Sequence, residues 1–539
     1  MDGAVVAALA CVALAARLVP LTWSPLPHSV DGFSLMRISS DIAAQGGWAL
    51  DPADVNSYNL KLPGFSILFA ALMEVAGLSP LVHVQLLLPM VTCLTVLPGY
   101  LIGVKATGRR LGGFAAGLFL SLFGSFLAFT SGTAKESIAL LVFPVAALLF
   151  HEREDPRRRA LAFVLLIFLP LLHALTAFLT LGTVAALVVL GHRRAIHRGR
   201  FSARALALDI ATGPGLAIPA WAYYAAVDLP FLSEVLAPAS LALFLGIVVL
   251  LTAGLATMSR PVPRRLGRRL ANPLTRVLLV PAIGFLVILE NVGNGLFVGA
   301  VGTQGGLIQI LPAILAIAAL VVVGVSLLRR TTNRASDLIV SMLTAPIALI
   351  LFGLLRGLDA FGLTLVYRAF DFMDYALAAL VAVAFAAMWK GLGRVRPLRG
   401  ALVAGLIGVL LATTPMAWDT PAVFGVQNVT TTEEFEALAF LASIGAHNVT
   451  TDERLASVGA WWFGYSTDAL LPAKIRDNET IPPGYALVLE RWSTVGAQIH
   501  PAPNLIVSPG AVRGFLAANR VLYVAGPPGD RIFVVQVLG

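Results

Sequence analysis

The sequence predicts a polytopic α-helical membrane protein of about 13 transmembrane helices, with a large first outer loop and a small C-terminal α/β domain. Three observations predict it. Of 539 residues, 58% are hydrophobic and 12% charged, about half the charge of an ordinary soluble chain. Apolar runs of about 20 residues, enough to cross a hydrocarbon core of about 30 Å, recur from Ala4 to Ala417. After Trp418 those runs stop and charge density rises. The chain is therefore expected to divide into a transmembrane domain, residues 1–417, and an extracytoplasmic domain, residues 418–539.

The element order follows from the charges. Six cationic loops, 105–110, 153–159, 193–204, 260–276, 329–334 and 390–399, hold 25 of the 38 Lys and Arg residues. The positive-inside rule places all six in the cytoplasm, so an even number of spans separates consecutive loops. The sequence pI near 9.9 is thus a topology signal, and no nucleic-acid partner is expected. Leu111 to Phe150 reads as two spans broken at "TSGTAKES", and Ala160 to Leu190 as a tight hairpin with His173 at its turn. Later pairs break at "DLPFLSEV", "ENVGNGLFVGAVGTQGG" and "RGLDAFGLTLVYRAFDFMDY".

Before the first cationic loop only two spans fit, Ala4 to Leu21 and His83 to Val104. Pro63 to Leu78 carries Glu74, and counting it as a span would put every cationic loop outside. It is expected to be a juxtamembrane or re-entrant helix within an outer loop, Trp23 to Val82. Asp2 and the lack of Lys or Arg in the n-region favour a retained first span over a cleaved signal peptide. Cys11 and Cys93 both lie in apolar runs and imply no disulfide framework. The sequons at Asn428, Asn448 and Asn478 all fall in the C-terminal domain, consistent with an outer location.

Few charges remain on the assigned outer face of the membrane domain. The cations are Arg37, Lys61, Lys135, Arg356 and Arg368; the acids include Asp31, Asp41, Glu136, Asp359, Asp371 and Asp374. Charges at a membrane edge are costly and are functional candidates by default. Outer cations against the positive-inside trend point to an anionic ligand such as phosphate. Arg368 in "LVYRAFDFMDY" is the strongest late cation for a phosphate or diphosphate, with Arg356 behind it. His173 is a candidate donor to phosphate or to a sugar hydroxyl. Glu290, Asn291 and Asn294 in "ILENVGNG" are weaker candidates for lining a sugar pocket.

Three stretches together carry a resemblance. They are the acidic outer loop "HSVDGFSLMRISSDIAAQGGW", the Lys-x-Pro in "NLKLPG" before an apolar helix ending "AGLSP", and the later acid in "GTAKESIALL". This arrangement resembles the GT-C membrane glycosyltransferases, in particular the protein O-mannosyltransferase and aminoarabinose transferase branch. The likeness covers the first 190 residues or so and the rest of the membrane domain more loosely. It implies an inverting transferase that takes a sugar from a polyprenyl (dolichyl) phosphate carrier on the outer face. The partners implied are that donor, membrane lipids, and a glycan, lipid or protein acceptor.

By the same resemblance Asp31 is the base that accepts a proton from the acceptor hydroxyl, a weak nucleophile needing such help. Lys61 contacts the carrier phosphate, and Glu136 is the second-loop acid. Many family members have adjacent acids where this chain has Asp31-Gly32, so neither a metal nor another cofactor is inferred. Each candidate has a plainer reading. Asp31 would cap a helix, Lys61 would snorkel to headgroups, Lys135 and Glu136 would form a charged turn, and His173 would be structural. Arg368 could pair with nearby aspartates.

In the C-terminal domain, "TTEE" reads as a helix start. The runs "YALVLER", "NLIVS", "RVLYVAG" and "RIFVVQVL" read as short strands. Trp461, Trp462 and Tyr465 read as core aromatics before a carbohydrate platform. Two other function classes fit the composition. A transporter or lipid flippase is disfavoured because polar residues gather at one face and no inverted repeat is evident. A non-catalytic scaffold in envelope assembly would place its working surface on the C-terminal domain.

Overall fold

Among the described residues, helices make up the chain as far as Phe424, and strands begin at Asn448. The computed structural model describes residues 2–229, 238–258, 305–328, 334–356, 360–393, 395–424, 426–499 and 505–538. In a hydrocarbon layer every backbone N–H and C=O must be satisfied within the segment, which is why such apolar runs can only be helices. Among the described residues, eight helices are long and apolar enough to cross a membrane, and one bent pair makes a ninth. The chain is an integral membrane protein. The expected total of about 13 also counts Lys135–His151 and Pro156–Leu172, each 17 residues, and draws on residues 259–304, which lie outside the described residues.

The first helix, α1 (Asp2–Leu18), precedes the long loop, which is partly helical. Its elements are α2 (Asp31–Gln45) and α3 (Gly64–Ala76). At 13 residues, α3 rises about 20 Å, short of a hydrocarbon core. It packs on α2, and Gly64 lies against the Leu171 backbone, where an added Cβ would come within 3.0 Å of the carbonyl oxygen. The chain then crosses through α4 (Pro80–Thr92) and α5 (Val96–Thr107).

Next come α6 (Arg110–Leu122) and α7 (Gly124–Ser131), bent 61° from each other. The bend needs Gly124. Its N–H bonds Thr413 Oγ1 at 2.9 Å, and an added Cβ would fall 1.8 Å from the Thr413 carbonyl oxygen.

Three antiparallel helices then set the two ends of the molecule. They are α8 (Lys135–His151), α9 (Pro156–Leu172) and α10 (Ala174–His197). One extended residue, His173, joins α9 to α10. Lys135, Glu136 and His173 therefore share one end, while His151, Arg153, Arg159 and Arg194 share the other. Ion pairs Lys105–Glu152, Arg158–Glu152 and Arg194–Asp337 gather three of the cationic loops at that second end. On the charge rule it is the inner end.

Beyond α11 (Ala203–Ala211) and α12 (Ala217–Ala226), the described spans are α13 (Pro238–Met258), α14 (Gly305–Leu328), α15 (Arg334–Arg356), α16 (Ala360–Gly391) and α17 (Arg396–Leu411).

A second core forms around a mixed five-stranded sheet. Its strands are β1 (Asn448–Thr450), β2 (Ser466–Asp468), β3 (Gly484–Leu489), β4 (Arg520–Ala525) and β5 (Ile532–Val537), in the order β2-β1-β3-β5-β4. β1 is parallel to β2 and β3, whereas β5 is antiparallel to β3 and β4. The helix start expected at "TTEE" is a capping box, Thr431 with Glu434, opening a helix over Thr432–Ser443. Glu434 is buried and takes a fork from Arg454, with Arg491 alongside. Burial alone would raise its carboxyl, but the two guanidinium groups hold it below the usual value.

The strand expected at "NLIVS" is absent among the described residues. Leu505 forms a single antiparallel bridge to Ala497, and Ser508 already caps the helix Pro509–Ala518. The Val507 N–H, two residues on, donates to the Trp492 carbonyl at 3.0 Å and does not extend the bridge. Tyr465 is buried and stacks on Phe463, as a core aromatic should, with its hydroxyl donating to the Leu438 carbonyl.

Leu26 and Phe33 of the first loop belong to this second core, and Phe33 stacks on Phe435. Leu35 and Met36, one half-turn on, belong to the membrane core. Helix α2 is thereby clamped between the two.

Candidate active site

Helix α2 begins at Asp31, and three contacts hold its start against the α7–α8 loop. The Thr133 N–H donates to the His28 carbonyl at 2.9 Å, and the His28 N–H donates to Gln85 at 2.9 Å. Gly32 lies so close to Pro27 and Thr133 that an added Cβ would approach both within 2.8 Å. A second acid cannot stand at this position, which gives Asp31-Gly32 a packing reason. Burial lowers the His28 imidazole to about 4, so this anchor is neutral near pH 7.

Beside Asp31 a cluster of charges converges from four elements. The Arg368 guanidinium, near the outer end of α16, pairs with Glu136 at the start of α8. His173 Nε2 lies 3.2 Å from the same Glu136 oxygen, and its Nδ1 lies 2.8 Å from Thr176 Oγ1. Phe129 backs the Arg368 guanidinium at 5.6 Å. Lys135 is buried, donates to Asn59 Oδ1 at 2.7 Å and sits over the Tyr58 ring at 4.4 Å.

A chain of hydrogen bonds continues from there. Asn59 donates to Ser34, Ser34 donates to Asn56, and Asn56 donates to the Trp461 carbonyl, at 2.6, 2.6 and 3.2 Å. Arg37 reaches the neighbouring Trp462 carbonyl at 3.2 Å and pairs with Asp41 in the open. The aromatic turn of the second core is thus bonded through its backbone to the loop that carries Asp31.

Asp31 differs from Glu136 in one decisive respect. Its carboxylate accepts no hydrogen bond among the described residues and stays open to solvent, while protein surrounds it at longer range. It therefore lies on the wall of a recess. That surrounding mass pushes its carboxyl above the usual carboxylate value, and the Glu136 charge adds to the shift; Arg368, Lys135 and His173 oppose it. Tyr58 on the same wall is also pushed up, by burial and then by Glu136 and Asp31, so its phenol stays protonated. Among the described residues no three His, Cys, Asp or Glu side chains converge closely enough to hold a metal ion. Glu136, the acid nearest Asp31 in this chain's cluster, is engaged by Arg368 and His173, so no chemical step is routed through a metal here.

The structure brings Asp31, Glu136, His173 and Arg368 together. Lys61 it places elsewhere: the ammonium donates to the Asp228 carbonyl at 2.6 Å, and the Lys61 carbonyl accepts from Tyr223 at 2.8 Å. Arg356 is the last residue of α15. Glu290, Asn291 and Asn294 lie outside the described residues. Of the outer aspartates, Asp371 meets Ser125 at 3.5 Å, and Asp374 has one buried oxygen without a partner.

Two residues carry no signal in the sequence, Tyr58 and Asn59, legible only as loop residues before Lys61; Lys135 counts among the outer cations but without a role. The one signal was an outer lysine entering an apolar helix, a costly position unless its charge is used.

No protein-family model and no curated protein matches this sequence. Solved structures do. The apo crystal structure of the Archaeoglobus fulgidus oligosaccharyltransferase superposes with TM-score 0.54 at 12% identity, over 100% of this chain and 74% of that one. The same enzyme in complex with zinc and sulfate gives 0.53 at 13% identity, over 98% and 72%. The chain has the GT-C fold. A crystal structure of ArnT from Cupriavidus metallidurans bound to undecaprenyl phosphate aligns with TM-score 0.29 at 14% identity over 99% and 98%, and no argument rests on it. On this fold the first loop after α1 and the start of α8 meet, which brings Asp31 beside Glu136.

Proposed function

We propose that this chain is a membrane glycosyltransferase that moves a sugar from a polyprenyl phosphate carrier to an acceptor hydroxyl at the outer end of the bundle. The observation that carries the reading is the pairing of opposites in one recess. Asp31 is a carboxylate without a hydrogen-bond partner among the described residues, and it stands beside the cations Arg368, Lys135 and the Glu136-bound His173. That combination matches a displacement in which one oxygen loses a proton while another gains negative charge.

In the proposed reaction the acceptor oxygen attacks the anomeric carbon as its proton passes to Asp31. The bond from that carbon to the carrier phosphate breaks, and the phosphate leaves with the electron pair. Attack opposite the leaving group inverts the anomeric centre. A carboxyl raised above the usual value is, once ionised, a stronger base than an ordinary one.

Glu136 then has a positioning role: it orients Arg368 and His173 towards the departing phosphate. Arg368 presents a planar fork of N–H donors suited to phosphate. Lys135 adds a point charge on the other side, fixed by Asn59 and Tyr58. Lys61 in this reading tethers the loop to Asp228 and is not a ligand of the phosphate. One solved structure of this fold is an oligosaccharyltransferase, which supports glycosyl transfer as the class. The domain after residue 417 lies over the recess through Asn56 and Arg37 and shapes acceptor access.

The test uses purified full-length protein in nanodiscs with synthetic prenyl phosphate sugars, following prenyl phosphate release. Wild-type protein should release it, to an acceptor or slowly to water, and Asp31→Asn should stop that release while the fold persists. Equal release by both proteins would overturn the assignment.

A further inference from the structure

We infer that the inner end of the bundle holds a second, separate anion site, a recess of about 320 Å³ that takes a phosphate-bearing ligand. Its centre is Asp209, buried on α11. Arg153 Nε, Arg159 Nη2 and His192 Nε2 converge on that carboxylate at 2.7, 2.9 and 2.9 Å. Arg153 is fixed further. It packs over Phe150 at 4.9 Å and crosses Gly191, where an added Cβ would lie 2.7 Å from its Nη2. Two arginines thus share one carboxylate. Arg198 and Arg200 line the same recess, and their side chains bond no described residue. Arg194, also on the wall, is paired with Asp337.

The positive-inside rule accounts for basic residues at this end, but not for their arrangement. It asks for cations in water-facing loops, where guanidinium groups are cheaply solvated. Here five arginines enclose one recess against three carboxylates, Glu154, Asp209 and Asp337, a surplus of two positive charges from these groups. Two of the surrounding polar atoms, Arg159 Nε and His192 Nδ1, are buried and meet no partner among the described residues. Orphaned buried polar groups are costly, and a ligand with several acceptor oxygens removes that cost.

The start of α11, capped by Ser202, opens into the same space, so its dipole favours an anion too. The volume is at the low end of ligand pockets, about 300–1,000 Å³. That suits a phosphoryl group with a small substituent. A lipid headgroup phosphate and a free phosphate share this chemistry.

The recess is distinct from the outer cluster. α8, α9 and α10 run from one to the other, with Glu136 and His173 at one end and Arg153, Arg159 and His192 at the opposite end. The inference does not rest on the transfer reaction.

The test is binding by the full chain. In phosphatidylcholine nanodiscs, inorganic phosphate should raise the thermal unfolding midpoint above that in chloride at equal ionic strength. Phosphatidylglycerol in the nanodisc should do the same where a headgroup is the source. Response to phosphate alone identifies a free ligand, and response to the lipid alone identifies a headgroup; both support the site. Arg198→Gln with Arg200→Gln, which breaks no intramolecular bond, should weaken binding about tenfold or more. Prenyl phosphate sugar turnover should stay unchanged in that variant. Two results would overturn the site: no response to either anion, or a double variant that binds as well as wild type.

Discussion

The two ends of the helical bundle solve one electrostatic problem in two ways. At each end a buried carboxylate gathers basic side chains from separate elements: Glu136 holds Arg368 and His173, and Asp209 holds Arg153, Arg159 and His192. Both arrangements keep charged groups near a membrane edge tolerable, since each charge has a partner. The outer end adds a second carboxylate, Asp31, with no hydrogen-bond partner among the described residues. The inner end adds further arginines. A base beside cations can both take a proton and stabilise a leaving group; cations alone can only bind. On the proposed reading, the comparison separates a site for chemistry from one for binding.

The strongest test of that contrast is Asp31→Asn. It removes the base and leaves the shape, and it should lower turnover by about 10²–10⁴. The corresponding change at the inner end, Arg198→Gln with Arg200→Gln, should leave turnover untouched. Arg368→Gln comes next. Loss of a charged donor at the leaving phosphate should cost about 10²–10³ in kcat, measured with donor at saturation.

Smaller effects separate the lysines. Lys135→Gln should cost about tenfold in kcat/KM, as the loss of one charge-assisted hydrogen bond. Lys61→Gln should cost less than about threefold, because its ammonium is spent on the Asp228 carbonyl. A reversal of that order would return Lys61 to the phosphate.

The smallest effect is on pH dependence. Activity needs ionised Asp31, so it is full above the pKa of that group and falls as pH drops through it. That acid limb should sit above the free aspartate value of about 3.9, because the surrounding protein and Glu136 raise it. Lys135→Gln should move the limb upward, since Lys135 pulls the same group down. A downward move in kcat/KM profiles would place Lys135 away from Asp31.

Particular residues show how much of this the sequence could reveal. Asp31 and Glu136 were visible because acids are rare in an apolar chain. Parity of cationic loops was enough to keep "KLPGFSILFAALMEVAGL" from being counted as a span, and its helix is indeed 13 residues. The pairing of Arg368 with Glu136 was not visible, because the two lie 232 residues apart and meet only through helix packing. The family resemblance made Lys61 a phosphate candidate; the hydrogen bond it makes here, to the Asp228 carbonyl 167 residues away, leaves no trace in residue type. Nothing in the residues around Asp209 marks it, although burial makes it the centre of a cluster. At "NLIVS" the apolar run suggested a strand, and the cap at Ser508 took its last residue for a helix.

The central claim is that the carrier phosphate is held by the cluster anchored on Glu136. A cryo-EM reconstruction of the full chain with a non-cleavable polyprenyl phosphate sugar tests it most directly. The account predicts phosphate density against Arg368 and His173, with the anomeric carbon facing Asp31. Phosphate density against Lys61, with the Arg368 cluster left uncontacted, would contradict it.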